Sequence, residues 1–179
     1  IIMIIGIDAS NIRTGGGKKH IEKFISNSLK EYNNIKFILV SNSKLNSSFV
    51  NTKRVKCISN FLLNINGVVS LLSQYFFSKY YFKSNNCDIV FVPGGIFLSN
   101  FKPFIFMSQN MLPFDKLEIN KFRFLKRIKF SLMKFLQANT FKRSEGVIFL
   151  TEYAKNTILD QIGNVKSSIV IPHGIKQQF

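Results

Sequence analysis

The segment from Ile2 to His20 constrains the fold more than any other part of the chain. An apolar run, Ile2-Met-Ile-Ile-Gly-Ile, ends at Asp8. A polar loop follows, Ala9 to Gly17, closing on Gly15, Gly16 and Gly17. Ile21, Phe24, Ile25, Leu29 and Tyr32 then recur at helical spacing. A strand, a glycine loop and a helix in that order form the opening unit of a parallel α/β sheet. In such a unit the helix start directs unpaired N–H groups at whatever fills the loop, and glycine lets the backbone approach it closely. Lys18, Lys19 and His20 add positive charge there, so the expected guest is a phosphate or another anion, with a plain flexible turn as the alternative. The Walker pattern fails because Lys19 follows Gly17-Lys18 and Ile12 holds the first glycine position. The dinucleotide pattern fails because His20 stands where its third glycine belongs. Asp8 is expected to orient the loop by accepting its N–H groups.

The same alternation continues downstream. Strands are predicted at Lys36–Val40, Arg54–Ile58, Asp88–Val92, Phe104–Ser108, Gly146–Leu150 and Ser168–Pro172. Helices are predicted at Lys18–Tyr32, Gly67–Lys83, Lys121–Arg143 and Thr151–Gln161. Short strands between longer helices require a doubly wound parallel sheet in one domain. Ligands of such sheets gather beyond the carboxyl ends of the strands. The loops Ala9–Gly17, Pro93–Asn100, Gln109–Asn120 and the segment from His173 are therefore expected to converge. Ser41–Lys53, rich in Ser and Asn, reads as a surface loop.

Charge bounds the partners. The 179 residues carry 25 Lys and Arg against 9 Asp and Glu, a formal net charge of +16. Nucleic acid, an anionic membrane or a phosphorylated substrate would suit this balance. Nothing resembles an RNA-recognition motif, a helix-turn-helix or a zinc spacing, which argues against nucleic acid. Cys57 and Cys87 read as buried free thiols in a reducing compartment. No apolar run reaches the length of a membrane span: Val68–Phe82 is interrupted by Ser70, Ser73, Gln74, Ser78 and Lys79 and reads as an amphipathic helix.

Four segments in order resemble a known family: Gly6-Ile-Asp-Ala-Ser-Asn11 with Gly15-Gly-Gly17, Met107-Ser-Gln-Asn-Met-Leu-Pro-Phe-Asp115, Thr140 to Ala154, and Val170-Ile-Pro-His-Gly-Ile175. Together they resemble the N-terminal, acceptor-side domain of family-4 glycosyltransferases with the GT-B fold. The resemblance covers essentially the whole chain. It implies a mostly parallel, Rossmann-like sheet with helices on both faces, spanning residues 1–175, with 176–179 starting an interdomain linker. A second domain would hold the nucleotide-sugar and the family's paired glutamates. Nothing here replaces those; Glu145 and Glu152 are spaced differently and flank a strand. The resemblance therefore implies the acceptor-binding half of a retaining hexosyltransferase, inactive alone, serving polysaccharide or glycolipid assembly in the cytoplasm or on the inner membrane face. The alternative is a non-catalytic basic module that binds anions or nucleic acid.

The resemblance also assigns roles. Gly15, Gly16, Gly17, Lys18 and His20 would meet the donor diphosphate or an acceptor phosphate; Lys18 could equally be a solvated first-turn lysine. Many family members carry a histidine in the loop after the fifth strand, where this chain has Ser108-Gln109-Asn110. Asn110 is the candidate in that catalytic position, supplying amide hydrogen bonds, since Asn cannot do acid–base work at ordinary pH. Gln109, Asp115, Glu152 and His173 are acceptor-site candidates. Asp115 serves equally as a loop cap, and Glu152 as a helix-dipole partner beside the N-cap Thr151. The family needs no metal here and no cofactor, the nucleotide-sugar being substrate. Finally, Lys121–Arg143 holds eight bases and no acid. Helical projection groups Leu125, Ile128, Leu132 and Leu136 as a core face, with Arg123, Lys126, Arg127 and Lys134 opposite and Phe130 among them. That basic face is either merely solvated or, as favoured here, lies on an anionic membrane surface, where lipid-linked acceptors would be met.

Overall fold

Strands one residue in two apolar on each side pack only if both faces are covered, and β2 shows how this chain does it. The computed structural model describes residues 2–12, 15–49, 52–65 and 67–172. Seven strands, β1 (Met3–Asp8), β2 (Ile35–Val40), β3 (Val55–Ile58), β4 (Ile89–Val92), β5 (Phe104–Ser108), β6 (Gly146–Phe149) and β7 (Ser168–Val170), form one sheet in the order β3-β2-β1-β4-β5-β6-β7. Every pairing is parallel, with Met3 opposite Ile35, Ile5 opposite Ile89 and Ile105 opposite Gly146. The chain runs outward through β1, β2 and β3, then crosses back to β4 beside β1, which makes that boundary the switch point of a doubly wound fold.

Alternation along β2 sends Phe37 and Leu39 to one face, where they pack with Ile21 and Ile25 of α1 (Gly16–Glu31) and with Leu45 of α2 (Ser43–Asn46). Ile38 and Val40 face the other layer. That layer contains α3 (Phe61–Asn64), α4 (Gly67–Ser73), a π-helical turn (Gln74–Ser78), α5 (Lys79–Ser84), α6 (Lys116–Asn120), α7 (Phe124–Arg143) and α8 (Glu152–Ile162). Its core is largely phenylalanine: Phe141 contacts Phe106, Phe114 and Phe149 at centroid distances of 4.9, 5.8 and 6.0 Å. Gly6 is required by this packing, because a Cβ there would lie 2.6 Å from the Phe82 ring and 2.9 Å from Val90.

Strand and helix positions agree with the periodicity to within a few residues, and three readings need correction. Ser41–Lys53 is not simply a surface loop: Asn42 caps α2 by accepting from the Leu45 N–H (3.1 Å), donates to the Ile12 carbonyl (2.7 Å), and Leu45 and Phe49 are buried. The predicted helix from Lys121 starts instead at Phe124, with Arg123 as its N-cap residue, and part of the supposed loop before it forms a 3₁₀ turn at Leu112–Phe114 and α6. Most consequentially, of the two long helical segments of the second layer, α4–α5 is inside out and the first half of α7 is exposed on both its apolar and its basic side. In α7 the expected core residues Leu125, Ile128 and Leu132 are exposed, and Gln137, Thr140 and Phe141 are buried. In α4–α5, Ser70, Ser73, Gln74 and Ser78 are buried, while Val68, Leu72, Tyr75, Phe76 and Tyr80 face outward.

Candidate functional site

The site is assembled by three loops at the carboxyl edge of the sheet, and a buried cluster around Asp8 fixes their positions. Asp8 ends β1 fully enclosed. Its Oδ1 accepts from Ser10 N–H (3.2 Å), Ser10 Oγ (2.6 Å) and Gln74 Nε2 (3.0 Å), and its Oδ2 accepts from Ser78 Oγ (2.9 Å). The expected loop-orienting role is present, and the π-helical turn adds a second anchor that the sequence did not disclose. Burial pushes the Asp8 carboxyl above its ordinary value, with the Ser10, Gln74 and Ser78 hydrogen bonds opposing that rise. Gln74 Oε1 accepts the Leu98 N–H (2.8 Å), which ties the loop after β4 to the loop after β1. Asn11 reinforces the tie by donating to the Ile96 carbonyl (3.0 Å). Gly94 and Gly95 have φ of 108° and 90°, and any Cβ at Gly94 would approach Gln109 to 3.3 Å, so glycine serves both conformation and clearance there.

Between these loops and α1 lies a cleft of about 670 Å³. Gly16, Gly17, Lys19, His20 and Lys23 line it from α1; Met107, Gln109, Leu150, Ile171 and Pro172 line it from the ends of β5, β6 and β7. No carboxylate is among its lining residues. Gly15 precedes α1 at φ 74°, a conformation open to glycine, and among the described residues no side chain caps the helix; its first turn holds no acid. The arrangement presents N–H groups, the positive end of the helix dipole and two lysines to one volume. An anion gains roughly 0.3–1 kcal/mol from the dipole alone, and up to about 2 when partly buried.

The predicted residues divide sharply. Gly16, Gly17, His20 and Gln109 meet at the cleft. Lys18 does not: it points toward Glu22 (3.5 Å) and the Lys44 carbonyl (3.4 Å), because one step along a helix turns a side chain by about 100°. Lys19 and Lys23 take its place, and their i, i+4 spacing with His20 between them was the available signal. Asn110 is exposed and closes a turn by accepting the Leu112 N–H (3.0 Å), and it is not a cleft residue. Asp115 caps α6 through the Leu117 and Glu118 N–H groups (both 3.1 Å). Glu152 is exposed near Lys155 (3.6 Å), in a helix that Thr151 caps through the Ala154 N–H. His173 lies outside the described residues. Among the membrane candidates, Lys134 is half-buried, bonded to Gln161 (2.5 Å) and placed over the Phe114 ring, and Phe130 packs on Phe122 at 5.2 Å. Arg123, Lys126 and Arg127 are exposed. Cys57 and Cys87 are free and half-buried, with burial raising both thiols, Cys87 to about 12.

Among the described residues no three His, Cys, Asp or Glu side chains come together as a metal site, and no helix is long and apolar enough to cross a membrane. The fold is an α/β domain of Rossmann-like type, with a cleft lined by glycines, lysines and His20 at its carboxyl edge. No protein-family model matches the chain, and no curated protein matches it.

Proposed function

We propose that this chain is the acceptor-side half of a nucleotide-sugar-dependent glycosyltransferase, with its cleft receiving a phosphate of the donor or acceptor. The observation that carries the reading is the cleft itself. The glycine-led start of α1, Lys19, His20 and Lys23 face Gln109 across the carboxyl edge, where open parallel sheets bind ligands. The motifs that resemble family-4 glycosyltransferases fall on the loops that build this edge, which supports the same reading. In that scheme the backbone N–H groups and lysines hold the phosphate, and Gln109 offers its amide to a hydroxyl. The second domain supplies the nucleotide-sugar site, and the departing phosphate assists transfer with retention.

The test titrates the 179-residue chain with inorganic pyrophosphate and assays sugar transfer from a panel of nucleotide-sugars. Pyrophosphate should bind, the Lys19→Gln/Lys23→Gln variant should bind it at least about tenfold more weakly, and the chain alone should transfer no sugar. Pyrophosphate binding that ignores both lysines, or turnover of a nucleotide-sugar by the chain alone, would refute the assignment.

A further inference from the structure

Helices that cover a sheet normally bury their apolar side. In this molecule α1 and α8 do so, through Ile21 and Ile25 and through Ala154, Ile158 and Ile162. The segment α4–α5 does the reverse, and the first half of α7 buries neither side, its apolar and basic residues from Phe124 to Lys129 all being exposed; both belong to the same layer, since Phe82 of α5 and Phe141 of α7 share one core. Gln74 is wholly buried while Phe76 is 65% exposed; Leu125 is 79% exposed. Val68, Leu72, Tyr75, Phe76 and Tyr80 on one segment and Phe124, Leu125, Ile128 and Leu132 on the other are all exposed, and clustered exposed apolar side chains mark an interaction site.

The charge around it selects the partner. Residues 61–87 contain Lys79 and Lys83 and no acid, and residues 121–143 contain eight bases and no acid. Phe76 and Tyr80 line a shallow groove with Lys79 and Lys83, an amphipathic aromatic-and-lysine composition suited to the headgroup boundary of a bilayer. On α7, Arg127 and Ile128 line one groove with Lys116 of α6, so a cationic and an apolar wall are adjacent there. A second copy of this chain would bring +16 against +16 with no acid on either face to offset it.

We infer that the outer surfaces of α4–α5 and α7 together dock on an anionic lipid bilayer, the apolar side chains entering the interface and the flanking lysines and arginines meeting lipid phosphates. This revises the sequence-based expectation, which gave contact to the basic side of α7 alone. It does not depend on the glycosyltransferase reading.

The chain contains no Trp, so single replacements report cleanly. Phe76→Trp and Ile128→Trp variants are mixed with phosphatidylglycerol-containing vesicles and with pure phosphatidylcholine vesicles; Tyr32→Trp, on the loop after α1 in the other layer, is the control. Emission of the first two should shift blue with anionic vesicles and be quenched by brominated acyl chains, while Tyr32→Trp should do neither. Lys79→Gln/Lys83→Gln should lower partitioning about 25-fold at low salt, at about fivefold per base. Inorganic phosphate at millimolar concentration should not displace the chain, which separates lipid docking from binding of a free anion. A shift at Ile128→Trp alone would overturn the two-helix face, as would equal shifts in all three variants. Lipid-independent self-association by sedimentation equilibrium that buries Phe76→Trp and Ile128→Trp would assign the surface to a second copy, and capture of an acidic protein with no vesicle binding would assign it to a protein partner.

Discussion

Gln74→Leu should destabilise the fold far more than its near-isosteric size suggests, because this amide links three parts of the carboxyl edge. Its Nε2 lies 3.0 Å from both Asp8 Oδ1 and Ser10 Oγ, and its Oε1 accepts the Leu98 N–H at 2.8 Å. Removing a bond to a buried carboxylate costs about 1.5–3 kcal/mol, and leaving the Leu98 N–H without its partner costs about 1–3 more. A total of about 3–5 kcal/mol lowers Tm by about 6–20 °C for a domain of this size. The effect has a definite pH dependence. Burial raises the Asp8 carboxyl above its ordinary 3.8. Its contribution to stability is therefore fully present below 3.8 and is lost as pH rises through the higher folded value. The Gln74 bond opposes that rise, so deleting it raises the folded value further. The deficit of Gln74→Leu relative to the parent must then widen as pH rises through the parent's raised folded value. Thermal melts followed by circular dichroism from pH 4 upward to the alkaline limit of the fold measure it. In an Asp8→Asn background the widening should vanish, and a double-mutant cycle should give a coupling of at least about 1 kcal/mol. A Tm fall below about 3 °C, or an equal fall at every pH in the series, refutes the account.

Two further outcomes follow from packing and burial. Gly6→Ala places a methyl inside contact distance of Phe82 and Val90 and should cost about 1–3 kcal/mol by denaturant titration; an unchanged midpoint would mean that the layer yields freely. Cys87, held at about 12 against an ordinary 9.0, should react with iodoacetamide near pH 8 about a thousandfold more slowly in the native protein than after unfolding, read by mass spectrometry of quenched samples.

Periodicity in the sequence located the elements and their class. Runs such as Lys36–Val40 and Phe104–Ser108 are strands because their side chains must be covered on both faces, and the glycine loop before Lys18 marked the edge of the sheet at which the cleft opens. The site was legible only in part. Gly16, Gly17, His20 and Gln109 reached the cleft, whereas Lys18 exchanged places with Lys19 and Lys23, and Asn110 and Asp115 closed local turns. Those outcomes depend on a rotation of one residue, which a spacing pattern does not resolve. The same limit explains the orientation of α4–α5 and α7. An amphipathic pattern establishes that a helix has two faces, and it is silent on which face turns inward. That was decided by long-range partners: Asp8, enclosed at the end of β1, draws Gln74 and Ser78 inward, and Thr140 turns toward the Phe97 N–H at 3.1 Å. A buried carboxylate needs donors wherever the chain can supply them. The sequence by itself determined the parallel α/β layers and the glycine-led edge; only tertiary structure decided that the polar side of α4–α5 is interior and that α7 turns Gln137 and Thr140 inward, because the groups that satisfy Asp8 and the loop after β4 lie tens of residues away along the chain.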